Sequence, residues 1–153
     1  MDLLLWRHAE AVDGTPDELR ELTPRGHRQA EAIAQWLSER KPKCPRILVS
    51  PARRAQQTAR CFTREFETAP AVGLAGDHRT LLEAAGWPGA GGAVLIVGHQ
   101  PTLGQTASFL LTGKPADLSV KKGALWWITT RMRAGMPQSV LKASITAELA
   151  DGE

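Results

Sequence analysis

The sequence predicts an α/β fold: one three-layer α/β/α domain around a mostly parallel sheet, with at least one antiparallel edge strand. Three observations point there. Short apolar runs of strand length alternate with stretches whose apolar residues recur at i, i+3, i+4 and i+7. Prolines stand where helices would begin, at Thr23-Pro24, Ser50-Pro51 and Pro101. The last two strand-like runs are joined by a short link containing Gly and Pro, which suits an antiparallel pair.

Taken in order, Leu3-Leu4-Leu5-Trp6 reads as a strand buried on both faces. Asp13-Gly14-Thr15-Pro16 breaks regularity. Thr23 then caps a helix with Pro24 at its first position; Ala30, Ile33, Ala34 and Leu37 form its apolar face, and it ends near Lys41-Pro42. A second strand covers Arg46 to Ser50. Ser50-Pro51 reads as another cap with proline at the first helical position, and Ala55, Ala59, Phe62 and Phe66 continue at helical spacing. A weak strand is expected over Ala71 to Leu74, and a short helix over Arg79 to Ala85, closed by Gly86. Ala93 to Val97 is the clearest buried strand. Pro101 opens a helix carrying Leu103, Ala107, Leu110 and Leu111, which stops at Gly113-Lys114-Pro115. Ala124 to Thr130 is strand-like. From Leu141, apolar Leu141, Ala143, Ile145 and Ala147 alternate with Lys142, Ser144, Thr146 and Glu148, as in a half-exposed strand.

The composition fits one globular domain over residues 1–153, since 42% of the 153 residues are apolar and 23% charged. A net charge of +3, from 19 basic and 16 acidic residues that are interspersed, gives no reason to expect nucleic acid. No apolar run approaches the roughly 20 residues that span a bilayer, and the start lacks a basic n-region. The expectation is a cytoplasmic protein without a membrane partner, and a monomer. Cys44 and Cys61 form no CxxC or zinc pattern and read as free thiols. The four histidines show no HxxxH or HExxH spacing, so no metal and no cofactor is expected. His27 and His78 read as surface residues, and Trp126-Trp127 as sheet packing. Gly89-Ala90-Gly91-Gly92 does not continue into GxGxxG; Gly113-Lys114 runs into Pro115 rather than a Walker A; GxSxG is missing.

Three polar clusters follow strands: Arg7-His8, Ser50-Pro51 with Arg54, and Gly98-His99-Gln100-Pro101. The carboxyl ends of parallel strands share one sheet edge, where ligands bind. Arg7, His8, Arg54 and His99 are therefore expected to converge. Two guanidinium forks match phosphate oxygens and stay charged. Their field disfavours imidazolium, so a histidine among them keeps a lone pair that can attack phosphorus.

At these residues the chain resembles a known family. Leu-Trp-Arg7-His8-Ala-Glu-Ala, Leu-Thr-Pro-x-Gly26-x-x-Gln29-Ala, Val-Ser50-Pro51-x-x-Arg54-Ala-x-Gln57-Thr58 and Val-Gly98-His99-x-Pro101-x-Leu-Gly, in this order, are similar to the motifs of the histidine phosphatase (phosphoglycerate mutase-like, RHG) superfamily. The short length and Lys122-Gly123-Ala124-Leu125-Trp126-Trp127 resemble its compact SixA-type phosphohistidine phosphatases. The resemblance implies that His8 is the nucleophile, that Arg7 and Arg54 hold phosphate, and that His99 donates to the phosphoryl group. Ala9 replaces the glycine that closes the RHG triplet, and Arg53 is left to solvent. The general acid used by many members has candidates in Glu83 and Asp77, with Glu10 beside the nucleophile. A site lacking a strong acid favours P–N over P–O substrates, because an alkoxide needs a proton donor as it leaves. The short interval from Thr58 to Gly98 leaves no room for the cover that larger members carry, so an open pocket admitting a phosphohistidine-bearing protein is expected. The alternatives are a small-molecule phosphomonoesterase and a non-catalytic phosphate-binding module.

Overall fold

In the computed structural model, residues 1–40, 42, 43 and 46–151 are described. Lys41, at the expected end of the first helix, and Cys44 lie outside them. The strands are β1 (Asp2–Arg7), β2 (Arg46–Val49), β3 (Glu67–Thr68), β4 (Ala93–Gly98), β5 (Leu125–Arg133) and β6 (Met136–Ile145). The α-helices are α1 (Pro24–Arg40), α2 (Arg53–Arg60), α3 (His78–Ala85), α4 (Thr102–Thr112) and α5 (Ala147–Ala150). One sheet runs β3-β2-β4-β1-β5-β6. β3, β2, β4 and β1 pair parallel, whereas β5 is antiparallel to β1 and β6 to β5.

Strand alternation sorts the core into two layers. Leu4 and Trp6 of β1, with Leu95 and Val97 of β4, pack under α1, α2 and α5 through Ile33, Leu37, Ala55 and Ala147. Leu3 and Leu5, with Val94 and Ile96, face α3 and α4 through Leu81, Leu103 and Ala107. Every residue of β4 is buried, as a strand covered by helices on both faces should be.

Local chemistry explains the start of α1 and both ends of α3. Thr23 Oγ1 accepts the Gly26 N–H at 2.9 Å, capping α1 behind Pro24. A side chain at Gly26 would run into the Glu10 carbonyl, so only glycine lets α1 start this close to the β1 loop. Asp77 caps α3 with Thr80 in a capping box, and Gly86 ends that helix at φ 73°.

Several expectations need correction. Ala71–Leu74 is not a strand: β3 lies earlier, at Glu67–Thr68, and Pro70–Val72 forms a 3-10 turn. Pro70 has no N–H to donate to a ladder, which suits it to a turn. α2 starts at Arg53, not at Pro51, and ends at Arg60. Phe62 and Phe66 still pack on the core, so their spacing recorded a shared face rather than a continued helix. The alternation through Ala147 fails after Ile145, because Thr146 caps α5. Within β6, Ala143 and Ile145 pack on the core while Lys142 and Ser144 are exposed, as the alternation requires, but beyond the register shift at Trp127/Ile128 Leu141 is 44% exposed. No described helix is long and apolar enough to cross a membrane.

Candidate active site

Parallel pairing of β2, β4 and β1 puts three strand ends side by side. Arg7 ends β1, and the His8 N–H donates to the Gly98 carbonyl at 3.1 Å. The Ser50 N–H donates to the Val97 carbonyl at 3.0 Å, and His99 follows β4 directly. Arg54 reaches in from the first turn of α2. Thus the four residues expected to converge do so. His8, Arg54 and His99 are buried, at 8%, 4% and 4% exposure, and Arg7 is half-buried. Arg53 is exposed and pairs with Glu21, whereas Arg54 meets His8 in the cluster.

The loop after β1 is fixed by side chains of the second and third motifs named above. Thr58 Oγ1 accepts the Ala9 N–H at 3.1 Å, Gln29 Oε1 the Glu10 N–H at 3.0 Å, and Gln57 Oε1 the Leu22 N–H at 2.7 Å. Each satisfies a backbone donor that no ladder reaches. Ala9 is fully buried.

The two histidines both carry their proton at Nδ1 but turn opposite nitrogens to the site. His8 Nδ1 lies 2.8 Å from the Ala9 carbonyl, which can only accept, so Nδ1 carries the proton. Arg54 Nε–H points at His8 Nε2 from 3.3 Å, which marks Nε2 as the lone-pair nitrogen. His99 Nε2 lies 2.7 Å from Ser50 Oγ. Ser50 is fully buried and accepts the Ala52 N–H at 3.2 Å, and among the described residues His99 Nε2 is the acceptor its hydroxyl meets, so we assign the hydroxyl hydrogen to Nε2. His99 is then protonated at Nδ1. Among the described residues, the buried side-chain nitrogens without a hydrogen-bond partner are Arg7 Nε and His99 Nδ1, and both belong to this cluster. These two unpaired buried donors suit an anionic acceptor, and the His8 and His99 rings stand 5.1 Å apart, centroid to centroid.

Electrostatics agree. Burial, then the neighbouring His99, Arg54 and Arg7, push His8 down to about 3 against the Ala9 hydrogen bond. Burial and Arg54 hold His99 down at about 4, with Asp17 opposing. Burial, then Arg54, lowers Arg7 as well. Arg7 Nη1 donates to the Val120 carbonyl at 2.8 Å, which anchors it to the segment before β5.

The carboxylate candidates stand elsewhere. Glu83 is exposed on α3. Asp77 Oδ1 accepts the Arg79 and Thr80 N–H groups at 2.9 Å each. Glu10 Oε2 accepts the Thr23 hydroxyl at 2.7 Å, turned toward the start of α1. The carboxylate that does meet the cluster is Asp17, which the sequence reading passed over. It sits on a 3-10 turn (Asp17–Leu19), and its Oδ2 accepts from Arg54 Nη2 at 3.1 Å. The available signal was Asp17-x-x-Arg20 just ahead of the Leu22-Thr23-Pro24 motif. His27 is exposed; His78 is partly buried against Phe109. Trp127 packs in the core with its Nε1–H on Asp2, as sheet packing requires.

The family model described as histidine phosphatase superfamily (branch 1) matches residues 3–74. The phosphohistidine phosphatase SixA of Escherichia coli is 31% identical over 124 residues, which cover 74% of this chain and 76% of SixA. The structure of the protein histidine phosphatase SixA complexed with tungstate superimposes with a TM-score of 0.83 at 24% identity, covering 97% of this chain and 99% of that one. A phosphoserine phosphatase from Entamoeba histolytica shares the fold, with a TM-score of 0.68 at 18% identity over 96% of this chain and 98% of that one. By its identity to SixA over most of both chains, and by a fold that agrees, the chain belongs to the histidine phosphatase superfamily and is of its SixA type.

Proposed function

We propose that this protein, whose family supports phosphatase activity, hydrolyses phosphohistidine on a protein through a covalent intermediate on His8. The observation that carries the reading is the His8 ring: neutral, pinned at Nδ1 by the Ala9 carbonyl, with its Nε2 lone pair beside Arg54.

In the first step His8 Nε2 attacks phosphorus. The new P–Nε2 bond forms as the bond from phosphorus to the substrate's imidazole nitrogen breaks, and that nitrogen keeps the electron pair. Arg7, Arg54 and His99 Nδ1–H offset charge on the equatorial oxygens, where positioning and electrostatics supply most of the rate. In the second step water attacks phosphorus. The P–O bond forms, the P–Nε2 bond breaks, its pair returns to His8, and the water proton leaves with phosphate or to solvent. Side chains carry each of these roles, so turnover is expected to be insensitive to EDTA.

Two features support a P–N substrate. Asp77 and Glu10 are committed to helix starts, and Glu83 is exposed. Asp17 is held below the usual carboxylate range by its hydrogen bonds to Arg20 and then Arg54, so it is ionised and carries no proton to give. An imidazole already protonated on its other ring nitrogen leaves as the neutral ring when the P–N bond breaks, and so manages without that donor. The similarity to a SixA structure holding tungstate, a tetrahedral oxyanion like phosphate, supports the same cradle here. The test is a panel of phosphohistidine proteins beside sugar and nucleotide phosphates. Faster turnover of phosphohistidine is expected; far faster turnover of small esters would overturn the substrate assignment in favour of a phosphomonoesterase. Phosphate binding without turnover would leave a binding module.

A further inference from the structure

The loop between β1 and α1 is tied directly to the cradle. It closes on itself through the Ala11–Leu22 bridge and the Val12 N–H on the Glu21 carbonyl at 2.8 Å. Inside it, Arg20 Nε donates to the Val12 carbonyl at 2.6 Å and Arg20 Nη1 to Asp17 Oδ1 at 2.9 Å. Asp17 then grips Arg54 twice. Nη1 donates to the Asp17 carbonyl at 2.8 Å, and Nη2 to Oδ2 at 3.1 Å.

Arginine has five N–H groups. Three of those on Arg54 are used: Nε on His8, and one on each terminal nitrogen by Asp17. Two remain for a phosphoryl oxygen. A planar guanidinium held at two corners cannot rotate, so Asp17 sets where those two point and keeps Nε on the nucleophile. Arg54 is buried while the Asp17 side chain is half exposed, so the loop holds the arginine from the solvent side.

We propose that Asp17, braced by Arg20, is a positioning residue for phosphoryl transfer, acting through Arg54. The proposal rests on the His8 mechanism above. It predicts a split between binding and rate. Asp17→Ala releases Arg54 Nη2, leaving only the main-chain carbonyl on Nη1, and removes a negative charge beside the cradle, so inorganic phosphate should bind as tightly as before or tighter. Turnover of a phosphohistidine peptide should fall at least tenfold in kcat. Asp17→Asn, which keeps an oxygen acceptor, should recover part of that loss, and Arg20→Ala should fall between them.

The experiment measures kcat, KM and inorganic phosphate affinity for wild type, these variants and His8→Ala, with the Arg54 Nε–H resonance followed by NMR. A slowly exchanging Nε–H in the wild type that is lost in Asp17→Ala is expected. The proposal is overturned if kcat in Asp17→Ala stays within twofold, if phosphate affinity falls in step with kcat, or if the Nε–H signal is unchanged. An inactive wild type, or an active His8→Ala, would instead sink the nucleophile assignment, and the NMR signal and phosphate affinity would still decide the role of Asp17.

Discussion

The β1 end and the β4 end of the site use the same side chain in opposite senses. At the β1 end, His8 spends its proton on the backbone and keeps a lone pair at Nε2. At the β4 end, His99 takes a hydrogen bond from Ser50 at Nε2 and keeps a buried N–H at Nδ1. Both rings are neutral for the same reason, burial among arginines. On the proposed mechanism, what separates the nucleophile from the donor is one hydrogen-bond partner on the far nitrogen of each ring. Identical residue types thus acquire different chemistry from the backbone and hydroxyl behind them.

Removing the charges common to both ends should cost the most. Arg54→Ala and Arg7→Ala are each expected to lose on the order of 2.7–4 kcal/mol of transition-state stabilisation, about 10²–10³ in kcat, as for other lost anion donors. Steady-state kinetics read this, and near-normal turnover in either variant would reject the cradle.

Reversing one end alone sharpens the comparison. Ser50→Ala removes the donor that sets the His99 proton position. Losing one hydrogen bond of about 1 kcal/mol predicts a drop of about fivefold to tenfold in kcat. Nitrogen-15 shifts of His99 should move away from the Nδ1–H form, while those of His8 stay in place. Equal movement in both rings would contradict independent control.

pH tests the shared neutrality. Both histidines sit below their ordinary 6.5, His8 at about 3 and His99 at about 4. The acid limb of kcat/KM should therefore lie near pH 4 rather than pH 6.5. The unfolded chain binds more protons than the folded one between these values, so stability is full above about pH 6.5 and declines as pH falls through the window. Thermal unfolding from pH 7 to pH 4 should show this, with a shallower slope in His8→Gln.

The smallest effect is expected at Glu83. Its exposed place on α3 predicts turnover within twofold of wild type for Glu83→Gln. A hundredfold loss on a phosphate ester would restore a carboxylic acid to the reaction.

The central strands and the four converging residues were legible because buried parallel strands leave apolar runs with polar residues at their ends. Leu3 to Trp6 and Ala93 to Val97 are uninterrupted apolar runs, and the polar residues that follow them had one place to go. Less legible were features set by tertiary contact. Phe62 and Phe66 kept helical spacing while the chain had left the helix, because a core face accepts apolar side chains from any backbone. The 3-10 turn at Asp17–Leu19 has no periodicity to detect, so the carboxylate that reaches Arg54 went unnoticed. Gln29, Gln57 and Thr58 were visible as motif letters, but their work on the N–H groups of Glu10, Leu22 and Ala9 appears only in three dimensions.

The most direct measurement is to quench the protein during turnover of a phosphohistidine peptide and map the trapped phosphate. Acid-labile, base-stable phosphate on His8, absent in His8→Ala, is the expected result. Turnover with no phosphate on His8 at any time, or phosphate on His99 instead, would contradict the assignment of the lone pair to the β1 end.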